Sequence, residues 1–97
     1  CAHCHNPQGP ASTSGLNLDY GDVEATLLGI KKTPVAAGRG AGGRLFDIVP
    51  GHPEQSILLY RMESLDPGVM MPELGRKTTH REGVELVRAW IKSLPNP

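Results

Sequence analysis

Cysteine occurs at only two of the chain's 97 positions, and a histidine follows the second, giving Cys1-Ala2-His3-Cys4-His5. A bridge between these two thiols would close too small a loop to stabilise much. The rest of the chain offers little else to build on. Only 38% of residues are apolar, the large rings are confined to Phe46, Tyr20, Tyr60 and Trp90, and 12 glycines and 9 prolines imply long loops. A domain of this length folds alone with a thin margin even with a full core. Its ordinary charge content and zero net charge nonetheless argue against a disordered, self-repelling chain. The composition therefore implies that something other than side chains fills the middle, and a large apolar cofactor meets that need.

The C-x-x-C-H spacing is the attachment signature of c-type haem. Two thiols on adjacent turns of a helix reach the two vinyl groups on one edge of a porphyrin. The residue that follows then projects its imidazole beneath the iron. A thioredoxin-like dithiol would want a βαβ context, which the pattern lacks. A zinc site drawing on His52 or His80 lacks the usual H-x-x-x-H type of histidine spacing. Haem also accounts for the sparse core, which these alternatives do not.

Charge narrows the partners. Zero net charge speaks against nucleic acid and against a membrane surface. Residues 1–46, 47–75 and 76–97 carry +1, −4 and +3, a modest dipole that can orient a docking partner. No stretch approaches the ~20 apolar residues of a membrane helix. A chain beginning at Cys1 reads as a mature or truncated piece.

Along the chain, residues 6–15 are dense in turn formers. Leu16 and Leu18 alternate, and a short helical pattern follows with Val23, Leu27 and Ile30 on one face and Asp22 as N-cap. Residues 33–44 read as a flexible glycine-rich loop that lacks the strand and GK[ST] of a phosphate-binding loop. Leu45–Val49 is a short extended segment. A helix is predicted from Pro53, turning Leu58, Leu59, Met62 and Leu65 inward and ending at Asp66-Pro67-Gly68. The last helix is the clearest, with capping-box spacing at Thr79 and Glu82. Its apolar stripe of Val84, Val87, Trp90, Ile91 and Leu94 stops at Pro95.

If His5 is one axial ligand, the candidates for the other are Met62, Met70, Met71, His3, His52 and His80. Met62 reads as core filler. Met71 is favoured over Met70 because Pro72 restricts the residue before it to extended backbone, aiming its thioether in a defined direction. His3 should point away from the iron, and His80 should be exposed. His52 reads as an N-cap and is the strongest competitor for the sixth position. Tyr60, Arg61, Arg76 and Trp90 are polar-tipped candidates for holding haem propionates.

Together, the CxxCH motif, a loop methionine before proline and a last amphipathic helix carrying an aromatic resemble the class I cytochrome c fold. The stretches SGLNLDYG, PGHPEQSILLYRM, MMPELGR and HREGVELVRAWI resemble the C-terminal haem domain of a bacterial family of larger c-type cytochromes, some of them dihaem. The resemblance implies an all-α, single-domain fold over 1–97, with short helices and long loops wrapped around one covalently bound haem c. It implies Cys1 and Cys4 as thioether sites and His5 and Met71 as axial ligands. It further implies electron transfer rather than enzymatic turnover, redox-protein partners and a periplasmic or extracellular location. Class I cytochromes carry a helix before the motif, so here that helix is expected either to have been cut away or to have its surface covered by another chain or domain. The competing functional readings are a haem enzyme or gas sensor with an open sixth position, and one relay of a larger multihaem assembly.

Overall fold

In the computed structural model, three helices are joined by turns and 3-10 segments. Residues 1–19, 21, 25–35, 38–72 and 80–95 are described. Helix α1 spans Ala25–Leu28, α2 Ile57–Glu63 and α3 Arg81–Ser93, with 3-10 turns at Ser12–Ser14, Gly38–Ala41 and Pro53–Gln55. Extended pairing among the described residues is limited to two parallel bridges, Ile30 with Ile48 and Phe46 with Ser56. The chain is mostly helical in its regular structure, as expected. Its radius of gyration of 12.4 Å is that of a folded domain, against about 13 Å for 100 residues. The glycine and proline content thus produces packed loops. No helix among the described residues is long and apolar enough to cross a membrane.

The core is small. Ile48, Leu59, Val84 and Ile91 are buried together, with Ile30, Leu58, Met62, Val87, Trp90 and Leu94 packed against them. Helix α3 supplies its stripe as the periodicity predicts: Val84 and Ile91 are buried, and Val87, Trp90 and Leu94 flank them. Its N-cap is His80, one residue later than the expected cap, and Thr79 lies outside the described residues. Gly51 N–H donates to the Ile91 carbonyl at 2.9 Å, satisfying an acceptor in the last turn of α3.

Helix α2 departs from the predicted helix at both ends. Pro53–Gln55 forms only a 3-10 turn, Ser56 is extended at φ −94°, ψ 125°, and the α-helix starts at Ile57. The reason is long-range. Ile57 and Leu58 donate their amides to the carbonyls of Phe46 and Asp47 at 3.1 and 3.0 Å, so the extended segment caps the helix. Ser56 sits fully buried at this junction, its Oγ accepting from Val49 N–H at 2.9 Å and donating to the His52 carbonyl at 3.1 Å. The helix closes at Glu63, ahead of Asp66-Pro67-Gly68, and Leu65 is 54% exposed where an inward position was expected. Ser56→Ala should cost about 1–3 kcal/mol in urea unfolding, because it leaves the Val49 N–H without its acceptor, while the His52 carbonyl keeps the Gln55 amide. A loss below a few tenths would show that the junction is not held by this hydroxyl.

Two further expectations are corrected. Asp22 and Val23 lie outside the described residues, but Leu27 is 44% exposed, and Ile30 pairs in a bridge after the helix has ended. The glycine-rich loop is not loose. Gly40 is buried with the Arg61 guanidinium 3.2 Å from the position of an added Cβ, and Arg39 makes a two-pronged pair with Asp66 at 2.7 and 3.1 Å.

Candidate cofactor site at the Cys1–His5 turn

Cys1–His5 forms a helical turn, with the Cys4 and His5 amides donating to the Cys1 carbonyl at 3.2 and 2.9 Å. Both cysteines are free thiols, Cys1 exposed and Cys4 half-buried. The turn is tied to the following segment at two points: Ala11 N–H donates to Cys4 O at 3.0 Å, and Leu18 N–H to His5 O at 2.8 Å. The loop closes tightly over the turn at Gly9, where any Cβ would collide with the Cys4 carbonyl oxygen.

The His5 ring has a defined partner. Its Nδ1 lies 3.1 Å from Ser14 Oγ, and Ser14 Oγ lies 2.7 Å from the Ala11 carbonyl. Since a carbonyl only accepts, the hydroxyl proton goes to Ala11. Towards His5 the oxygen therefore accepts, and the ring proton sits on Nδ1. Leu16 N–H reaches the same oxygen at 3.3 Å. One donor and two acceptor positions exhaust a hydroxyl's capacity. Ser14 was not singled out from sequence.

Beside this turn opens a cavity of about 630 Å3, lined by Cys1, Leu18, Asp19, Gly21, Leu28, Leu58, Val87 and Trp90. That volume falls in the range of about 300–1,000 Å3 typical of ligand and cofactor sites. Its wall is mainly aliphatic and aromatic and draws on the N-terminal turn and all three helices. Of the residues selected from sequence, Cys1 and Trp90 line it, whereas Cys4, His5, Tyr60, Arg61, Met71 and Pro72 are not among its lining residues. Leu18 joins the two sites, lining the cavity while its amide holds the His5 carbonyl.

The two loop methionines differ in environment. Met70 is buried, at 9% exposure, and its amide donates to Asp66 O at 2.8 Å. Met71 is half-buried, its amide donates to Arg61 O at 2.9 Å, and the Met71–Pro72 peptide is cis. Arg61 also donates from Nε to Val69 O at 2.9 Å. It thus grips the methionine loop at two points, a role not foreseen from sequence. Tyr60 carries the Arg44 guanidinium over its ring at 4.4 Å from the centroid, and its ring edge fills the space beside Gly42. Arg76 lies outside the described residues.

The histidine competitors sit at the surface. His52 occupies the N-cap position of the 3-10 turn but makes no side-chain cap bond; it is exposed, with Nδ1 3.4 Å from Glu54. His80 is exposed beside Glu82, His3 is exposed, and Met62 packs on the core as its helical position predicts. No cluster of three or more His, Cys, Asp or Glu side chains that could hold a metal ion occurs among the described residues.

The fold also buries a carboxylate. Asp47 is 5% exposed; its Oδ2 has no hydrogen-bond partner and stands 3.9 Å from Lys32 Nζ. Burial pushes its pKa above the ordinary 3.8, against the pull of the Lys32 and Arg61 charges. A group raised in this way contributes its full stability below pH 3.8, where folded and unfolded chains both hold the proton. The contribution is lost as pH rises through the folded-state value. Asp47→Asn should therefore remove a decline in urea-unfolding free energy that the parent chain shows from pH 3.8 upward. Equal slopes in the two proteins would count against it.

The residues present could hold a haem covalently: two thiols on one turn, an imidazole whose Nδ1 faces the Ser14 hydroxyl, and a mainly apolar cavity lined by Cys1. No family model, curated protein or solved structure matches the chain, so the functional reading rests on these residues.

Proposed function

We propose that this chain is a c-type haem domain that transfers electrons, with Cys1 and Cys4 as thioether sites and His5 and Met71 as axial ligands. The observation that carries this reading is that Cys1, the first residue of the Cys1–His5 turn, lines a mainly apolar cavity of about 630 Å3. When bound, the haem supplies a one-electron iron couple. The protein's part is to hold, orient and exclude water. The two thiols fix one edge of the group to the first turn. His5 would supply its imidazole Nε2 as a ligand to the iron. Leu18, Leu28, Leu58, Val87 and Trp90 cover an apolar face, which disfavours the more highly charged ferric state. Met71, a soft ligand on a loop held by Arg61, favours the ferrous state in the same sense.

With His5 and Met71 both held as ligands, the iron would have no position for a substrate, which would separate an electron carrier from a haem enzyme or gas sensor. Covalent attachment takes place outside the bacterial cytoplasm, so the reading carries a periplasmic or extracellular location and redox proteins as partners. Of the residues first considered for the propionate side, Trp90 lines the cavity, while Tyr60 and Arg61 brace the adjacent loops.

The test is the mass of the protein secreted from a host equipped for cytochrome c maturation. It should exceed the bare chain by one haem under denaturing conditions, which strip a non-covalently held zinc ion. A colourless product with the bare-chain mass would refute the proposal.

A further inference from the structure

We infer that Ser14 is a positioning residue for His5: its hydroxyl holds the proton on Nδ1, orients the ring and sets how strongly Nε2 donates to a metal. The inference deepens the haem reading and rests on it for its redox consequence, but not for the hydrogen bond itself. Nothing in the attachment motif requires it, since the serine lies nine residues from the histidine.

The geometry leaves Ser14 little freedom. It ends the 3-10 turn Ser12–Ser14, closed by Gly15 in the left-handed conformation at φ 75° with its amide on Ser12 O at 3.3 Å. Its proton is committed to Ala11 O at 2.7 Å, and Ala11 N–H is in turn bonded to Cys4 O at 3.0 Å. A ring of contacts thus runs from Cys4 through Ala11 and Ser14 to His5 and encloses the attachment turn. The hydroxyl cannot turn to donate to His5 without giving up the Ala11 carbonyl.

The consequence for the metal follows from the acceptor's nature. A partner that draws on the Nδ1 proton raises the electron density at Nε2 and strengthens its bond to the more oxidised metal. A neutral hydroxyl draws less than a carboxylate does, so His5 is set near ordinary imidazole and well short of imidazolate. Ser14 thereby favours the ferric state modestly, against the ferrous preference of the Met71 ligand and the apolar cavity wall. Removing it should tip the balance toward the reduced protein.

Two measurements test this. In the wild-type protein labelled with 15N-histidine, the His5 Nδ1–H resonance should be visible and slow to exchange with solvent. A proton found on Nε2, or one exchanging as in a free imidazole, overturns the inference, and this readout decides even if the variants fail to fold. In the haem-loaded protein, Ser14→Ala should shift the oxidised–reduced equilibrium constant toward the reduced form by about tenfold, about 59 mV for a one-electron couple. Ser14→Thr, which keeps the hydroxyl, should restore the parent value. A purely structural role would lower thermal stability without moving the potential, and equal potentials in parent and Ser14→Ala proteins would overturn the redox assignment. If the wild-type chain carries no haem, the haem proposal fails alone, and the NMR readout still judges the hydrogen bond.

Discussion

Met71→Ala should abolish the weak red charge-transfer band of iron–methionine bonding in the oxidised protein, and Met70→Ala should leave it in place. The two side chains are neighbours in sequence but not in role. Met70 is buried in the wall of the methionine loop, so truncating it removes packing and should cost about 2–5 kcal/mol of stability. Met71 is half-buried, and its position is set by its own amide on the Arg61 carbonyl and by the Arg61 side chain on Val69 two residues earlier. Truncating it should leave the fold nearly intact and change the iron. The reduced variant should bind carbon monoxide rapidly where the parent does not, and its potential should fall because the soft ligand is gone. Loss of the band in the Met70 variant would move the ligand by one residue. A band absent from the parent but a six-coordinate spectrum lost in His52→Ala would replace methionine with histidine, although His52 is exposed and beside Glu54 in the structure.

What could be read in advance was local and periodic. The stripe of α3 repeats over 13 residues, long enough for the period of 3.6 to stand out, and every one of its members packs on or beside the core. Met62 and Leu59 followed from the same rule on α2. The start of α2 did not, because its cap is the Phe46 and Asp47 carbonyls, about ten residues away, and no pattern in residues 53–57 announces them. The glycine-rich segment looked loose because glycine lacks a side chain to pack. It is bound instead by what approaches it, Arg61 against Gly40 and Tyr60 against Gly42, which only a fold can bring together. Within the site, Cys1–His5 stood out from five letters as a candidate attachment turn, and it does form a turn. Ser14 was not, because a serine in a turn-rich segment is ordinary and its significance lies entirely in the distance to His5. The aliphatic wall of the cavity was likewise invisible: Leu18, Leu28, Leu58 and Val87 look like any core residues, yet they face a space that the described side chains leave open.

That unfilled space leads to the largest expected effect. The double variant Cys1→Ser, Cys4→Ser, secreted under the same conditions, should carry no covalent haem and should lose cooperative thermal unfolding. The cavity opens to solvent, so without a group in it water wets Leu18, Leu28, Leu58, Val87 and Trp90, which forfeits the burial that filling the cavity provides. Domains of this size hold only about 5–15 kcal/mol in total, so such a loss is felt. The seven buried apolar side chains among the described residues, with partly buried neighbours, are too few to replace that burial. Binding energy that exists only in the folded state is folding energy, so under the proposed haem reading the thiols would act on stability through the group they retain. Circular dichroism and a thermal scan of parent and variant provide the check. The variant should keep part of its far-ultraviolet helix signal, since α3 is long and amphipathic, and lose the sharp transition. A variant that melts as cooperatively as the parent, within a few degrees, would mean that the chain closes its own core. The cavity would then be a surface cleft, and the two cysteines would have to be explained by something other than the wrapping of a cofactor.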